Sequence, residues 1–277
     1  MIDAHCHLNF QSFEKDCDAV IKQAFKAGVT KIINVGTKLD SSEKAIELAQ
    51  KYDSPNPPAG GGELYATVGI HPHHADKLET DWLESLKKLA KHSKVIAIGE
   101  TGLDYFSYKS NAVTDPKLQK DLFIKQIELA YELKLPLQIH NRQAGKDIIN
   151  VLMDHKSYLL NKPGIFHCFA GSIEILKSAL QMGFYVGFDG NITYKGLAPG
   201  EATDLKDLAK YAPIDRIITE TDSPYLAPEP KRGHRNMPEY VIITAGFIAK
   251  LKGLTFQEFE LKTTENAELL FKLKTKS

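Results

Sequence analysis

Short apolar runs alternate with longer segments of helical periodicity along most of the chain. The short runs are typical of strands, and the segments between them carry apolar residues three and four positions apart, as amphipathic helices do. Strands that alternate with helices in this way indicate a parallel sheet assembled from βα units. Eight strands are predicted, at residues 1–5, 31–35, 64–70, 95–98, 137–140, 164–167, 184–188 and 216–219.

Helix start and stop signals agree with this alternation. Asp115 precedes Pro116, and a capping residue followed by proline predicts the start of a long helix that ends near Leu133. Gly28 and Gly183 stand where two other helices should stop. The predicted helical segments include residues 19–25, 45–49, 83–89, 122–133, 148–153, 175–180, 241–251 and 256–271.

Chain length favours a closed barrel over an open, doubly wound sheet. A (β/α)8 TIM barrel needs about 250 residues, and this chain has 277. We therefore expect an α/β fold with a single barrel domain over residues 1–277. The segment at residues 54–62, rich in proline and glycine, interrupts the alternation, so we interpret it as a surface loop at the amino-terminal face of the barrel rather than an interdomain linker.

Composition and charge narrow the class of protein. Hydrophobic residues make up 43% and charged residues 25% of the chain, as in ordinary globular proteins. Lys plus Arg and Asp plus Glu both number 35, a balance that disfavours binding of long nucleic acid through a broad basic surface but not a local basic site in a cleft. No secretion signal or membrane-spanning apolar run is recognised, so we expect a cytoplasmic protein without membrane association. No feature signals an obligate protein partner.

The three cysteines do not indicate disulfides or a zinc finger. Cys6, Cys17 and Cys168 are too few and too scattered for a disulfide framework, and no two of them form a CxxC pair. Although Cys6 and Cys168 each stand beside a histidine, we interpret them as buried, reduced thiols.

The first predicted strand runs into a His-Cys-His sequence. Side chains at positions i and i+2 of a strand point to the same face, so His5 and His7 are expected to face the barrel axis and Cys6 to point away. Two imidazoles on one face supply half of a metal site. By itself the pair is equally compatible with two histidines that bind no metal.

Polar residues also follow the apolar runs of other predicted strands. The fourth strand runs into Glu100, the fifth ends at His140, the sixth ends at His167, and the eighth runs into Asp222. Residues at the carboxyl ends of barrel strands form the active site in this fold, and packing does not favour so many uncompensated polar groups at one end. The strand ends therefore predict one convergent site, made of His5, His7, Glu100, His140, His167 and Asp222.

Six ligands exceed the three protein ligands of a mononuclear catalytic zinc site and suit two divalent metal ions. Glu100 is the expected bridge, because one carboxylate can give an oxygen to each ion. Imidazole and carboxylate ligands fit Zn²⁺, Mn²⁺ or Fe²⁺ and also allow Mg²⁺. The remaining ligands divide between the two ions, with His5, His7 and Asp222 at one and His140 and His167 at the other.

A pair of metals points to hydrolysis. Two metals polarise a carbonyl or phosphoryl oxygen and lower the pKa of a bridging water toward ~7. Asp222 is the best candidate for the general base, and Glu100 shares the catalytic centre. Asp222 could instead be a turn residue, since Ser223 and Pro224 follow it.

Polar residues just beyond two strand ends are candidates for contacting the substrate or for orienting a metal ligand. His71 and His73 follow the third strand, and we favour them as substrate contacts, although His71 could also be a metal ligand or an outer hydrogen-bond donor. Asp104 and Tyr105 follow Glu100 closely, and they either orient a metal ligand or fill a turn.

Three arginines are candidates for binding an anionic substrate. Arg142 stands two residues after His140 and can reach a substrate phosphate, or it is solvated in the first turn of the next helix. Arg232 and Arg235 belong to a basic, glycine-containing loop at residues 231–236, where barrels often bind phosphate. The alternative for this loop is a solvated run of charge.

Eight short motifs, spread in order over almost the whole chain, resemble the TatD family of metal-dependent deoxyribonucleases, within the amidohydrolase-like barrels. They include Asp-Ala-His-Cys-His-Leu at residues 3–8 and Thr-Glu-Thr-Asp-Ser-Pro-Tyr at residues 219–225. The others lie at residues 68–74, 98–105, 135–142, 166–171, 183–187 and 232–236.

The resemblance implies a barrel, a divalent-metal site at the six predicted ligands, and phosphodiester hydrolysis on DNA by 3′–5′ exonuclease action. The departures lie outside these ligands. Thr101 replaces an apolar residue, Asn141 stands where serine is usual, and the loop at residues 54–62 looks longer. His234 and Met237 replace residues that are often lysine and glutamate, which leaves the substrate preference open.

Three functions are consistent with these residues. The first is a two-metal phosphodiesterase that acts on DNA ends or on a small phosphodiester. The second is an amidohydrolase-type enzyme for a small ester, lactone or cyclic amide, which the same metals would serve. The absence of a lysine placed to be carbamylated argues mildly against this second function, because Glu100 fills the bridging position. The third is a binding or scaffold protein with an inactive site, which the complete ligand set disfavours.

Overall fold

The computed structural model describes residues 1–53, 61–108, 113–197 and 200–273. Within these residues, eight parallel strands follow one another in chain order around one sheet. Residues 54–60, most of the predicted surface loop, lie outside the described residues. The strands are β1 (Ile2–Cys6), β2 (Lys31–Val35), β3 (Glu63–Val68), β4 (Val95–Asp104), β5 (Leu137–Arg142), β6 (Gly164–Phe166), β7 (Tyr185–Phe188) and β8 (Ile217–Thr219).

The sheet closes between its first and last strands. The Asp222 amide donates to the His5 carbonyl oxygen at 2.9 Å, and the His7 amide donates to the Ser223 carbonyl oxygen at 2.8 Å. The predicted (β/α)8 barrel is therefore confirmed. Because these two bonds lie at the carboxyl ends of the strands, they also fix the backbone positions of three predicted site residues.

The helices contain the segments that periodicity predicts, extended by a few residues at most ends. The long helix begins as expected, because the Asp115 side chain accepts from the Lys117 amide at 2.8 Å and Pro116 is its first residue. Among the described residues, no helix is long and apolar enough to cross a bilayer. The helices are α1 (Cys17–Lys26), α2 (Leu39–Lys51), α3 (Trp82–Ala90), α4 (Pro116–Leu133), α5 (Gly145–Asp154), α6 (Ile173–Gln181), α7 (Leu205–Tyr211), α8 (Val241–Lys252) and α9 (Phe256–Phe271).

The last helix, α9, covers the amino-terminal ends of the strands. Glu268 on this helix pairs with Lys31 at the start of β2, with Nζ and Oε1 2.5 Å apart. Asn266 donates from Nδ2 to the carbonyl oxygen of Ile217, the first residue of β8, at 2.8 Å. The opposite ends of the strands are therefore the ones left to build a site, as in other barrels.

Strand β4 is longer than predicted, and Glu100 lies inside it rather than at its end. The pairing of β4 with β5 shifts register between Ile98 and Thr101, so that an extra residue of β4 is accommodated there. Such bulges turn a side chain out of the regular alternation, often beside an active site. A side chain at Gly99 would clash with Gln138 of β5, because its Cβ would lie 2.6 Å from the Cβ of that glutamine.

Candidate active site

The carboxyl ends of the strands surround a cavity of about 950 Å³. Five of the six predicted ligands line it, and the sixth, His5, is fully buried beside His7. A cavity of this size can hold a drug-sized molecule. The strand-end residues predicted from the sequence are thus brought to one place.

His5, His7 and Asp222 meet on one side of this cavity. The Nε2 atoms of the two histidines are 3.3 Å apart. Asp222 Oδ1 lies 3.4 Å from His7 Nε2 and 3.8 Å from His5 Nε2. Cys6, between the histidines, points away into the hydrophobic core, where its thiol donates to the Ile33 carbonyl oxygen at 3.5 Å.

Glu100 lies between the two groups of histidines. Its Oε1 is 2.8 Å from His140 Nδ1 and 2.9 Å from His167 Nε2. Its Oε2 is 3.6 Å from His7 Nε2 and 3.8 Å from His5 Nε2. One carboxylate oxygen therefore faces each pair of imidazoles, which is the arrangement that a bridging ligand requires.

A backbone contact fixes the tautomer of His7. Its Nδ1 lies 3.0 Å from the Val35 carbonyl oxygen, which can only accept, so Nδ1 carries the proton. The Nε2 lone pair of the neutral ring then points toward His5 and Asp222. Metal-binding histidines are usually oriented in this way, through the nitrogen that does not bind the metal.

Asp104 holds the opposite side of His140. Its Oδ2 lies 3.1 Å from His140 Nε2 and 2.9 Å from His73 Nε2. Burial opposes a charge on His140, but hydrogen bonds with Asp104 and Glu100 outweigh burial and raise the pKa of His140 to about 9. Asp104 thus has the geometry of an orienting residue, whereas Tyr105 turns away and donates to a carboxylate on α5.

His71 is placed as a hydrogen-bond donor. Its Nδ1 accepts from the His73 amide at 3.2 Å, so the proton of the neutral ring is on Nε2, which lies 3.6 Å from Glu100 Oε1. Burial and the neighbouring His140 hold the pKa of His71 well below its ordinary value. Burial favours protonation of Glu100, but the adjacent histidines, led by His167, outweigh burial and hold the pKa of Glu100 well below its ordinary value.

Arg142 and Arg232 both line the cavity, and each stacks on aromatic rings. The Arg142 guanidinium carbon is 4.2 Å from the centre of the Phe106 ring and 5.1 Å from that of Tyr108. The Arg232 guanidinium carbon is 4.0 Å from the centre of the Tyr194 ring. Stacking holds the guanidinium plane and directs its N–H groups sideways, a geometry suited to phosphate oxygens.

The structure places Arg235 away from the cavity that the other predicted substrate contacts line. Its guanidinium nitrogens pair with both carboxylate oxygens of Asp16, at 3.0 and 2.6 Å, and Nη1 also donates to the Ser12 carbonyl oxygen. The guanidinium lies over the Phe13 ring, 4.6 Å from its centre. Arg235 is not among the described residues that line the cavity, because this bidentate pair anchors its loop to the segment before α1.

Asp189 is not among the residues predicted from the sequence, although it is a polar residue that follows an apolar strand, as the predicted ligands are. Asp189 directly follows β7, whereas Asp222 lies three residues after β8, and the Asp189 side chain is fully buried. Burial and the charge of Asp222 raise the pKa of Asp189 to about 7. Asp189 also adjoins Cys168, which had been interpreted only as a buried thiol.

The donor set fits divalent metal ions. The ligand atoms of His5, His7 and Asp222 lie within 4.8 Å of one another, as do those of His5, Glu100 and His167. Two imidazole nitrogens 3.3 Å apart need a proton or a cation between them, and the His7 tautomer leaves the Nε2 lone pair of His7 available to either. Imidazole and carboxylate donors suit zinc, manganese and iron.

Comparisons with known proteins show the family to which the chain belongs. Residues 2–272 match the model of a protein family described as TatD related DNase. The chain is 39% identical over 274 residues to the uncharacterized metal-dependent hydrolase YabD of Bacillus subtilis, with 99% of each chain covered. It is 33% identical to a protein of Erwinia tasmaniensis named 3'-5' ssDNA/RNA exonuclease TatD, with 99% of this chain and 100% of that protein covered.

A solved structure has the same architecture. The crystal structure of YJJV, a TatD homologue from Escherichia coli K12, superposes with a TM-score of 0.85 at 29% identity, covering 99% of this chain and 98% of that chain. The family match spans nearly the whole barrel, and with it all six predicted ligand positions. The chain belongs to the TatD family of metal-dependent hydrolases.

Proposed function

We propose that this protein is a two-metal nuclease that removes nucleotides from the 3′ end of single-stranded DNA. The observation that carries the proposal is the position of Glu100, with one carboxylate oxygen facing His5 and His7 and the other facing His140 and His167. The Erwinia relative named as a 3'-5' ssDNA/RNA exonuclease supports the choice of substrate.

The proposed metal ligands are the six strand-end residues. His5, His7 and Asp222 would hold one ion, His140 and His167 the other, and Glu100 would bridge them. Bound divalent ions supply charge stabilisation of a phosphoryl oxygen and lower the pKa of a water molecule. Metal analysis of the purified protein would identify the ions among Zn²⁺, Mn²⁺, Mg²⁺ and Fe²⁺.

The side chains around the ligands supply positioning and proton transfer. Asp222 is the proposed general base, because its carboxylate lies at the cavity wall beside His7. His71 directs its Nε2 proton toward the centre, where it can donate to a phosphate oxygen. Arg142 and Arg232 are placed to bind phosphates, because Tyr108 and Tyr194 hold their guanidinium groups by stacking.

The barrel is closed at the amino-terminal ends of its strands. The interior of the barrel is filled with buried side chains, and α9 covers the amino-terminal ends of the strands. A nucleic-acid strand therefore cannot pass through the barrel, as in other barrels of this fold. The choice of an exonuclease over an endonuclease rests on the Erwinia relative that is named as a 3'-5' ssDNA/RNA exonuclease.

Labelled single-stranded DNA tests the proposed function. With Mg²⁺ or Mn²⁺, we expect 5′-labelled DNA to shorten progressively, and a chelator to stop the reaction because the ligand groups would lose their ions. Gel electrophoresis of the products measures the shortening. A covalently closed circular single strand is the matched control and should stay intact. No chelator-sensitive shortening with any divalent metal would overturn the proposal.

Removal of either stacked arginine should distinguish a nuclease from a hydrolase for small neutral esters or lactones. A hydrogen bond to a charged group contributes about 1.5–3 kcal/mol, so Arg142→Gln and Arg232→Gln should each lower kcat/KM for DNA about 10–100-fold. Hydrolysis of a neutral ester or lactone should hardly change. Steady-state kinetics on both substrate types measures the difference.

Arg235→Gln is the matched control, since Arg235 pairs with Asp16 outside the cavity. It should leave kcat/KM for DNA within a factor of about two, as expected of a surface ion pair away from the substrate. Equal losses in all three variants would show a general charge effect and contradict the assigned phosphate contacts.

A further inference from the structure

A second cluster of potential ligands lies beside the proposed metal pair. Cys168 follows β6, Asp189 follows β7, and Asp222 follows β8. The Cys168 sulfur and one carboxylate oxygen from each aspartate lie within 4.8 Å of one another. Cys168 and Asp222 line the same cavity as the histidines, so a small ion that enters the cavity can reach this cluster.

Asp189 has an oxygen that no described side chain or backbone group satisfies. Its Oδ1 accepts from the Asn191 amide at 2.8 Å, whereas its Oδ2 is buried with no hydrogen-bond partner among the described residues. The whole side chain is fully buried. Burial of a carboxylate oxygen without a hydrogen bond costs free energy, and a bound cation is one of the few groups that can offset this cost.

The Asn191 side-chain amide donates to the Cys168 sulfur at 3.5 Å. Burial and the carboxylates of Asp189 and Asp222 raise the pKa of the Cys168 thiol well above its ordinary value, so a bound cation is needed to hold this sulfur as a thiolate. Zinc binds thiolate sulfur at about 2.3 Å and carboxylate oxygen at about 2.0–2.2 Å. Atoms within 4.8 Å of one another can therefore reach one zinc ion with small movements of the side chains.

We propose that Cys168, Asp189 and Asp222 form a thiolate-containing site for Zn²⁺ that shares Asp222 with the proposed metal pair. A thiolate ligand selects zinc and similarly soft ions over Mg²⁺ and Mn²⁺, which prefer oxygen. The site therefore differs in metal preference from the Glu100-centred groups, whose ligands are imidazoles and carboxylates.

Zinc bound at this site would inhibit the reaction. This consequence rests on the role proposed above for Asp222. A zinc ion held by Cys168 and Asp189 draws the Asp222 carboxylate away from His5 and His7. Zinc in excess of the catalytic ions then inhibits an enzyme that works with Mn²⁺ or Mg²⁺. The cluster thus acts as an inhibitory zinc site.

Cadmium binding tests the site without any measurement of activity. Cd²⁺ is a soft analogue of zinc, and its bond to a thiolate gives an ultraviolet charge-transfer band that histidine and carboxylate ligands do not give. Titration of the metal-free protein with Cd²⁺ should produce this band in the wild type and in Cys17→Ser, a matched control at a half-buried thiol on α1. It should disappear in Cys168→Ser.

Asp189→Asn provides a second variant, because asparagine can keep the hydrogen bond to the Asn191 amide while it loses the charge. We expect this variant to show the band only at Cd²⁺ concentrations about 10–100-fold higher. No band in the wild type, or a band that survives in Cys168→Ser, would overturn the proposed site.

Zinc inhibition tests the consequence. In the presence of Mn²⁺, each protein is compared with its own rate before zinc is added. The zinc concentration for half-inhibition should rise about 10–100-fold in Cys168→Ser, and it should not change in Cys17→Ser. Unchanged inhibition in Cys168→Ser would contradict the inhibitory role. If no protein cleaves DNA, the proposed function fails, and the cadmium band still decides whether the site exists.

Discussion

Glu100→Gln is expected to lower kcat for DNA hydrolysis by about three orders of magnitude. Bound metal ions contribute several kcal/mol of charge stabilisation to the transition state, and each ~1.4 kcal/mol corresponds to a factor of ten in rate. Glutamine keeps the size of the side chain but offers only one oxygen, so it cannot bind an ion on each side as the carboxylate does. Because one Glu100 oxygen faces each histidine pair, the change should affect both ions together.

Metal content separates this effect from a loss of folding. Elemental analysis should show less bound metal in Glu100→Gln than in the wild type, while circular dichroism and the melting profile should still report a folded barrel. Glu201→Gln is the matched control, since Glu201 lines the cavity but belongs to none of the ligand groups found among the described residues. Its kcat and metal content should resemble those of the wild type. A fully active Glu100→Gln variant would refute the assigned bridge.

Asp222→Asn should lower kcat by about 10²–10⁴-fold, the range attributed to a general base. Asparagine has nearly the same shape and can still offer an oxygen to a metal ion, but it cannot accept a proton at neutral pH. We therefore expect little loss of bound metal and a large loss of rate, with KM close to that of the wild type. Single-turnover kinetics together with metal analysis measures both quantities.

Asp204→Asn is a suitable control for this substitution. Asp204 also lines the cavity, but its carboxylate caps α7 by accepting from the Lys206 amide at 2.8 Å, and asparagine caps helices equally well. The Asp204→Asn variant should retain its rate. A kcat within tenfold of the wild type in Asp222→Asn would exclude Asp222 as the base and leave it as a metal ligand only.

The sequence predicted the fold and most of the convergent site because both depend on local patterns. Apolar periodicity identified the eight strands, and once the chain is a barrel, the topology alone brings every strand end to the same face. His140 and His167 could therefore be placed together although 27 positions separate them in the chain. The i, i+2 rule likewise predicted that Cys6 would point away from its neighbouring histidines.

Only the tertiary structure decided the features that depend on partners far away in the chain. Arg235 appeared in a basic loop that resembled a phosphate site, but its side chain is held by Asp16, more than two hundred positions away. The bulge that turns Glu100 inward depends on the register of β4 against β5. The proximity of Cys168 and Asp189 depends in the same way on the packing of β6 beside β7. A sequence pattern indicates the secondary structure that each segment favours, whereas these contacts depend on how distant segments pack together.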